Sequence, residues 1–238
     1  MGPSQDLDDL LRRCTVRLRV PQDESQGTGF WIAPGLLLTC AHVVETAHAR
    51  SVTVEIARDR EIYPGRIVEF LPKPFPDLAL LCCDGLRDHP CVYLNSDIAL
   101  GDSLYSYGYT DQYPRGDSAT FAYEGPTDVG PGSLLKLKQG QSRPGLSGAP
   151  LLNLRTGGVC GIVKSSRDLD SDLGGRAVPL ACIPSGYDLR NLQQSFHQRH
   201  GDWLDCLNAE QRRWIPWQAA SLSDLGTNCY LANALSLI

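Results

Sequence analysis

The chain has 238 residues, is 42% hydrophobic and carries a formal net charge of −5. That length and composition suit one or two globular domains with a real core. The acidic balance, with basic residues scattered rather than massed, argues against nucleic acid as a partner. No apolar run is long enough to span a membrane as a helix, so no membrane partner is expected.

The N-terminal stretch from Met1 to Cys14 is acidic and lacks the apolar run of a signal peptide. Beyond it the chain reads as a series of short β-type runs. They are Cys14–Val20, Gly27–Ile32, Leu36–Thr39, Ser51–Ala57, Arg66–Phe70 and Leu78–Cys82, followed by Ser103–Gly108, Ala119–Tyr123, Leu134–Leu137, Ala149–Leu152, Gly158–Lys164 and Ala177–Ile183. Turn signals such as Ala33-Pro34-Gly35 and Arg155-Thr156-Gly157-Gly158 separate them. Many short strands at near-regular spacing predict an all-β sandwich or barrel. From about Tyr187 the pattern changes. Leu192, Phe196, Trp203, Leu204 and Leu207 fall at helical spacing, and three of the four tryptophans, Trp203, Trp214 and Trp217, lie in this tail.

The cysteines are Cys14, Cys40, Cys82, Cys83, Cys91, Cys160, Cys182, Cys206 and Cys229. Their number is odd, most lie in strand-like runs, and no C-x-x-C occurs. Buried free thiols are therefore expected rather than a zinc site, and no metal or cofactor is expected. Together with the lack of any N-x-S/T sequon, this points to a reducing, cytoplasmic setting.

Three motifs carry chemistry. Pro144-Gly145-Leu146-Ser147-Gly148-Ala149-Pro150 sets a serine between glycines, which lets the backbone aim amide N–H groups at one point. Thr39-Cys40-Ala41-His42-Val43-Val44 follows an apolar strand, and Pro76-Asp77-Leu78-Ala79-Leu80-Leu81 puts an aspartate at the start of another. Each alone is weak, since a lone histidine is more often a core residue and a lone aspartate more often a turn or cap. His48, His89, His197 and His200 lie in polar, turn-rich or helical stretches and read as solvated or structural, and Asp84 ends its strand rather than starting it.

Taken together with Gly27-Thr28-Gly29-Phe30-Trp31-Ile32, and in the order His42, Asp77, Ser147, these motifs resemble the chymotrypsin-fold (trypsin-like) serine peptidases. Within them the likeness is to disulfide-free bacterial HtrA-type and effector-associated trypsin-like domains. It runs from about Cys14 to Pro184. It implies two perpendicular six-stranded antiparallel β-barrels with the active site between them. The barrels would cover about 12–96 and 97–184 of a peptidase domain at 1–186. Residues 187–238 would then form a helical extension or the start of a further domain. The resemblance implies Ser147 as nucleophile, His42 as general base and Asp77 as the residue that orients it. It gives the oxyanion hole to the amides of Gly145 and Ser147, and it makes a protein or peptide the substrate.

The departures from the family pattern are informative. Val43, not a cysteine, follows His42, so the disulfide that braces this loop in secreted relatives cannot form. Leu146 stands where zymogen-type relatives carry the aspartate that pairs with a newly cut N-terminus. The site is therefore either always formed or ordered by an activating partner or attached sensor domain, as in trypsin-like effectors of bacterial defence and signalling systems. The resemblance implies that Gln141 lies at the base of the primary specificity pocket, with walls from Lys164, Ser165 and Ser166 and from the segment around Arg176. Lys164 stands where relatives have a serine touching the aspartate. The acidic loop Asp168–Asp172 either favours a basic substrate residue or is simply solvated. The rival to an active endopeptidase is a catalytically silent pair of barrels used as a binding module.

Overall fold

The computed structural model of the chain describes residues 2–21, 26–58, 61–110, 112–140, 144–166 and 174–217. It begins with a helix absent from the sequence expectation, α1 (Gln5–Cys14). Ser4 caps it by accepting from the Leu7 amide, Asp6 and Asp8 sit in the first turn, and Arg12 and Arg13 sit in the last. Leu7, Leu10, Leu11 and Cys14 recur at helical spacing and form its buried face.

All twelve expected strands are present. The first barrel contains β1 (Thr15–Arg19), β2 (Gln26–Ala33), β3 (Leu36–Thr39), β4 (Val54–Arg58), β5 (Glu61–Leu71) and β6 (Leu78–Cys82). It closes in the order β1-β2-β3-β6-β5-β4. A single 3₁₀ turn (Ala41–Val43) and the short α2 (Glu45–Arg50) connect β3 to β4. The second barrel contains β7 (Ser103–Gly108), β8 (Asp117–Asp128), β9 (Ser133–Lys138), β10 (Pro150–Asn153), β11 (Val159–Ser166) and β12 (Gly175–Pro179). It closes in the order β10-β11-β12-β9-β8-β7. Strand neighbours within each barrel are antiparallel. The chain is thus all-β with two closed six-stranded barrels, and closure leaves neither sheet with a free edge.

Two apolar clusters form the core, and the larger runs from the first barrel into the second through Leu134, Leu152, Ile162 and Val178. Phe30, Leu37, Leu38, Ile56, Leu78 and Leu80 are among those buried in the larger cluster. Leu104, Phe121, Leu137, Leu151, Val163 and Ala177 fill the second barrel together with Leu146. Each fully buried large side chain contributes about 1.5–3 kcal/mol. The burial of Leu146, at 2% exposure, gives a physical reason for a leucine beside Ser147: the nucleophile loop is held by apolar packing.

Among the described residues the tail is three short helices rather than one amphipathic helix: α3 (Leu189–Arg199), α4 (Asp202–Asp205) and α5 (Ala209–Arg212). The break falls at His200 and Gly201. The buried face of α3 is Gln193, Phe196 and His197, with Leu192 only partly covered. Gln193 donates to the Ile32 and Val92 carbonyls and accepts from the Leu94 amide at 2.7 Å. Trp203 Nε1 donates to the Gly157 carbonyl at 2.9 Å, and Gln211 Nε2 to that of Leu154 at 2.9 Å. The extension therefore fastens to β2, to the segment joining the barrels, and to the turn after β10. Among the described residues, no helix is long and apolar enough to cross a membrane.

Candidate active site

His42 and Asp77 are brought together by the first barrel alone. β3 and β6 pair in register from Leu36 with Cys82 to Thr39 with Ala79. The turn leaving β3 therefore lies beside the residue entering β6. The His42 amide donates to Asp77 Oδ1 at 2.9 Å, and Nδ1 bonds Oδ2 at 2.8 Å. An ionised carboxylate can only accept, so Nδ1 carries the proton and Nε2 presents its lone pair. Asp77 is fully buried and has φ 69°, a left-handed conformation uncommon outside glycine but tolerated best by Asp and Asn. Burial by itself pushes the Asp77 carboxyl up. The hydrogen bonds and charge of His42, with the Lys164 ammonium, outweigh that and hold it below the usual carboxylate value.

Lys164 reaches the aspartate itself. Its side chain is only 11% exposed, and its Nζ lies 3.7 Å from Asp77 Oδ2. The same Nζ donates to the Pro74 carbonyl at 2.5 Å.

Ser147 belongs to the second barrel, in the tight loop before β10. Gly145 and Gly148 have φ of 93° and 88°, conformations that a side chain would strain. A Cβ on Gly148 would stand 2.0 Å from the Thr28 carbonyl oxygen, so the S-G step is demanded by close backbone approach. Ser147 Oγ donates to the Lys164 carbonyl at 3.0 Å rather than to His42. Among the described residues, the amides of Gly145 and Ser147 have no acceptor, which leaves two N–H donors beside the hydroxyl.

Thr28 is a member of the site that the sequence reading passed over. Its amide donates to the Ser147 carbonyl at 3.0 Å, and its Oγ1 donates to the Gly145 carbonyl at 2.9 Å. The same Oγ1 accepts from the Tyr109 amide at 2.9 Å, and the Thr28 carbonyl accepts from Thr39 Oγ1 at 2.7 Å. One residue of the first barrel thus ties the serine loop of the second to the end of β3, the strand that leads into the His42 turn. The available signal was the pair of glycines around Thr28, because glycine inside a strand marks close backbone approach. A Cβ on Gly27 would meet Val43 Cγ1 at 2.6 Å.

The donor atoms of Cys40, His42 and Asp77 lie within 4.8 Å of one another. Their chemistry does not suit a metal ion. Burial pushes the Cys40 thiol up, keeping it protonated, and it donates to the Val163 carbonyl at 3.2 Å. The His42–Asp77 pair is already bonded, and Lys164 supplies a positive charge where a cation would sit. Cys160 likewise donates to the Leu151 carbonyl.

The remaining site candidates are less engaged. Ser165 and Ser166 lie on β11 and pair through their backbone with Arg176 and Gly175. Arg176 is partly buried and donates to the Gly175 carbonyl. Gln141 and the acidic loop Asp168–Asp172 lie outside the described residues. The other histidines play structural parts: His89 accepts from the Gly35 amide, His48 stacks on Phe70, and His197 bonds the Val92 carbonyl.

The family model for the trypsin-like peptidase domain matches residues 27–162, more than half of the chain. The chain belongs to the trypsin-like peptidase family. It is a serine endopeptidase by that membership. A search of curated protein sequences finds no match. Among solved structures, it is similar to the Rv3671c protease from M. tuberculosis in its active form, with 20% identity over 76% of this chain and 84% of that one and a TM-score of 0.60. Deg5 is similar at 20% identity over 75% and 89%, with a TM-score of 0.61. The HtrA-type protease AlgW, solved with a decapeptide, is similar at 19% identity over 82% and 67%, with a TM-score of 0.62. At these identities the likeness shows the fold.

Proposed function

We propose that this peptidase cleaves peptide bonds through an acyl-enzyme on Ser147, with His42 and Asp77 as base and orienter. The observation that carries the assignment is the doubly bonded His42–Asp77 pair, which leaves Nε2 as the free base. In the reaction Nε2 takes the hydroxyl proton as Oγ attacks the scissile carbonyl carbon. The Gly145 and Ser147 amides hold the resulting oxyanion, each worth about 3 kcal/mol of barrier. The imidazolium, stabilised by Asp77, returns that proton to the leaving amine. Water then repeats the sequence on the ester, releasing the acid and restoring Ser147.

The resting contact of Ser147 Oγ with the Lys164 carbonyl supports a gated version of this reading. Attack requires Oγ to turn from that carbonyl toward Nε2, and an activating partner or sensor domain that shifts the loop supplies the turn. The sequence likeness to effectors of bacterial defence and signalling fits such gating. The buried, protonated thiols of Cys40, Cys91 and Cys160 fit a reducing cytoplasm. A protein or peptide is the substrate in this reading.

Reaction with a fluorophosphonate probe tests it. The intact protein is expected to be labelled at Ser147, and Ser147→Ala and His42→Ala to lose labelling by roughly 10⁴-fold or more. Rapid labelling without any added partner removes the gating. Labelling that survives His42→Ala removes the assigned base, and no labelling under any activating condition favours a binding module.

A further inference from the structure

Lys164 bonds to both halves of the site through different atoms. Its carbonyl accepts from Ser147 Oγ at 3.0 Å, and its ammonium lies 3.7 Å from Asp77 Oδ2. Oδ2 is the same oxygen that accepts from His42 Nδ1 at 2.8 Å. The carboxylate oxygen that should stabilise the imidazolium is therefore shared with a second cation. The ammonium is fixed there by its bond to the Pro74 carbonyl and by burial of the stem at 11% exposure. A charge so enclosed is poorly screened by salt.

We propose that Lys164 is a positioning residue that shares the Asp77 carboxylate with His42 and divides its charge, so that forming the His42 imidazolium is penalised. This rests on the catalytic assignment of His42 and Asp77 above. Among the described residues, the other charged or titratable groups around Asp77 do not duplicate the effect. Cys40 packs against Asp77 from the end of β3, and its buried thiol is held neutral. Lys73 stands one residue before Pro74 and is exposed, so water screens its charge. The physical trade is specific. A second cation beside the carboxylate penalises imidazolium formation. That widens the working range on the acid side and makes each proton abstraction by Nε2 slightly weaker.

The experiment is a pH titration of the His42 ring by NMR in the full chain, assigned with His42→Ala, for the unaltered protein, Lys164→Met and Lys164→Arg. It needs no turnover, so it is independent of gating. Fluorophosphonate labelling rates are followed over the same pH range. Lys164→Met is expected to move the His42 midpoint up by roughly one pH unit, the scale of a single close charge. The acid limb of labelling should move with it, and Lys164→Arg should return both to near the original position. Unchanged His89 and His197 resonances would show that the fold is kept. An unmoved midpoint in Lys164→Met, or an equal displacement in Lys164→Arg, overturns the proposal and leaves Lys164 a packing residue. Failure of the peptidase assignment is separately visible as labelling that does not depend on His42.

Discussion

The two halves of the site are held in different ways. The base half lies wholly within the first barrel, where the β3–β6 register places His42 on Asp77 and two hydrogen bonds fix the imidazole. The nucleophile half takes its support from elsewhere: Leu146 is buried in the second barrel, while Thr28 of the first holds the Gly145 and Ser147 carbonyls. Its hydroxyl points at the Lys164 carbonyl. A half built from local register is assembled as soon as its barrel folds. A half built from contacts between barrels responds to anything that shifts one against the other, so the gating proposed above would act on Ser147 rather than on His42.

Asp77→Asn attacks the base half most directly. An amide can donate to Nδ1 and so select the wrong tautomer, and labelling of Ser147 is expected to fall by about 10⁴-fold with the fold retained. A loss below tenfold would show that His42 is oriented mainly by its backbone.

Thr28→Val strikes the nucleophile half. It removes the bonds of Oγ1 to the Gly145 carbonyl and Tyr109 amide while keeping shape. Labelling should drop by roughly 10- to 100-fold, the scale of one or two lost positioning bonds. The His42 NMR midpoint should stay unchanged. Movement of that midpoint would show that the two halves are electrostatically coupled through more than Lys164.

The smallest effect concerns the scaffold both halves share. His89 and His197 are buried, and burial pushes each down to about 4, against about 6.5 in an unfolded chain. Both are neutral in the native state, so as pH falls from about 6.5 toward about 4 the unfolded chain gains protons that the folded one refuses. Stability is full above that window and is lost through it, by up to about 3 kcal/mol per histidine. Urea unfolding between pH 7.5 and about 4.5 should show the midpoint falling, and His197→Asn should remove part of the slope. A flat profile would mean that the two side chains take up protons in place.

Each strand was legible because its apolar run was bounded by turn residues, and the three motifs named His42, Asp77 and Ser147 in one order. The helices were less visible for definite reasons. α2 buries only Ala47, so its sequence has no apolar stripe to find. α1 does carry one, in Leu7, Leu10, Leu11 and Cys14, but its charged residues dominate the composition of the segment. In the tail the apolar spacing continues past Gly201, although the helix does not. The partner of Ser147 left no trace, because it is a backbone carbonyl. The nearness of Lys164 to Asp77 was signalled only by its standing where relatives have a serine touching the aspartate; the ion pair itself depends on how the long side chain lies.

The bonds that run from Thr28 to the serine loop have a consequence for the safety of the molecule. An excursion that separates one barrel from the other breaks those bonds and frees the loop that carries the hydroxyl and its amides. A half-denatured copy is therefore disarmed before its own backbone becomes available to be cut. Under the proposed mechanism, cleavage is tied to copies whose two barrels are properly seated.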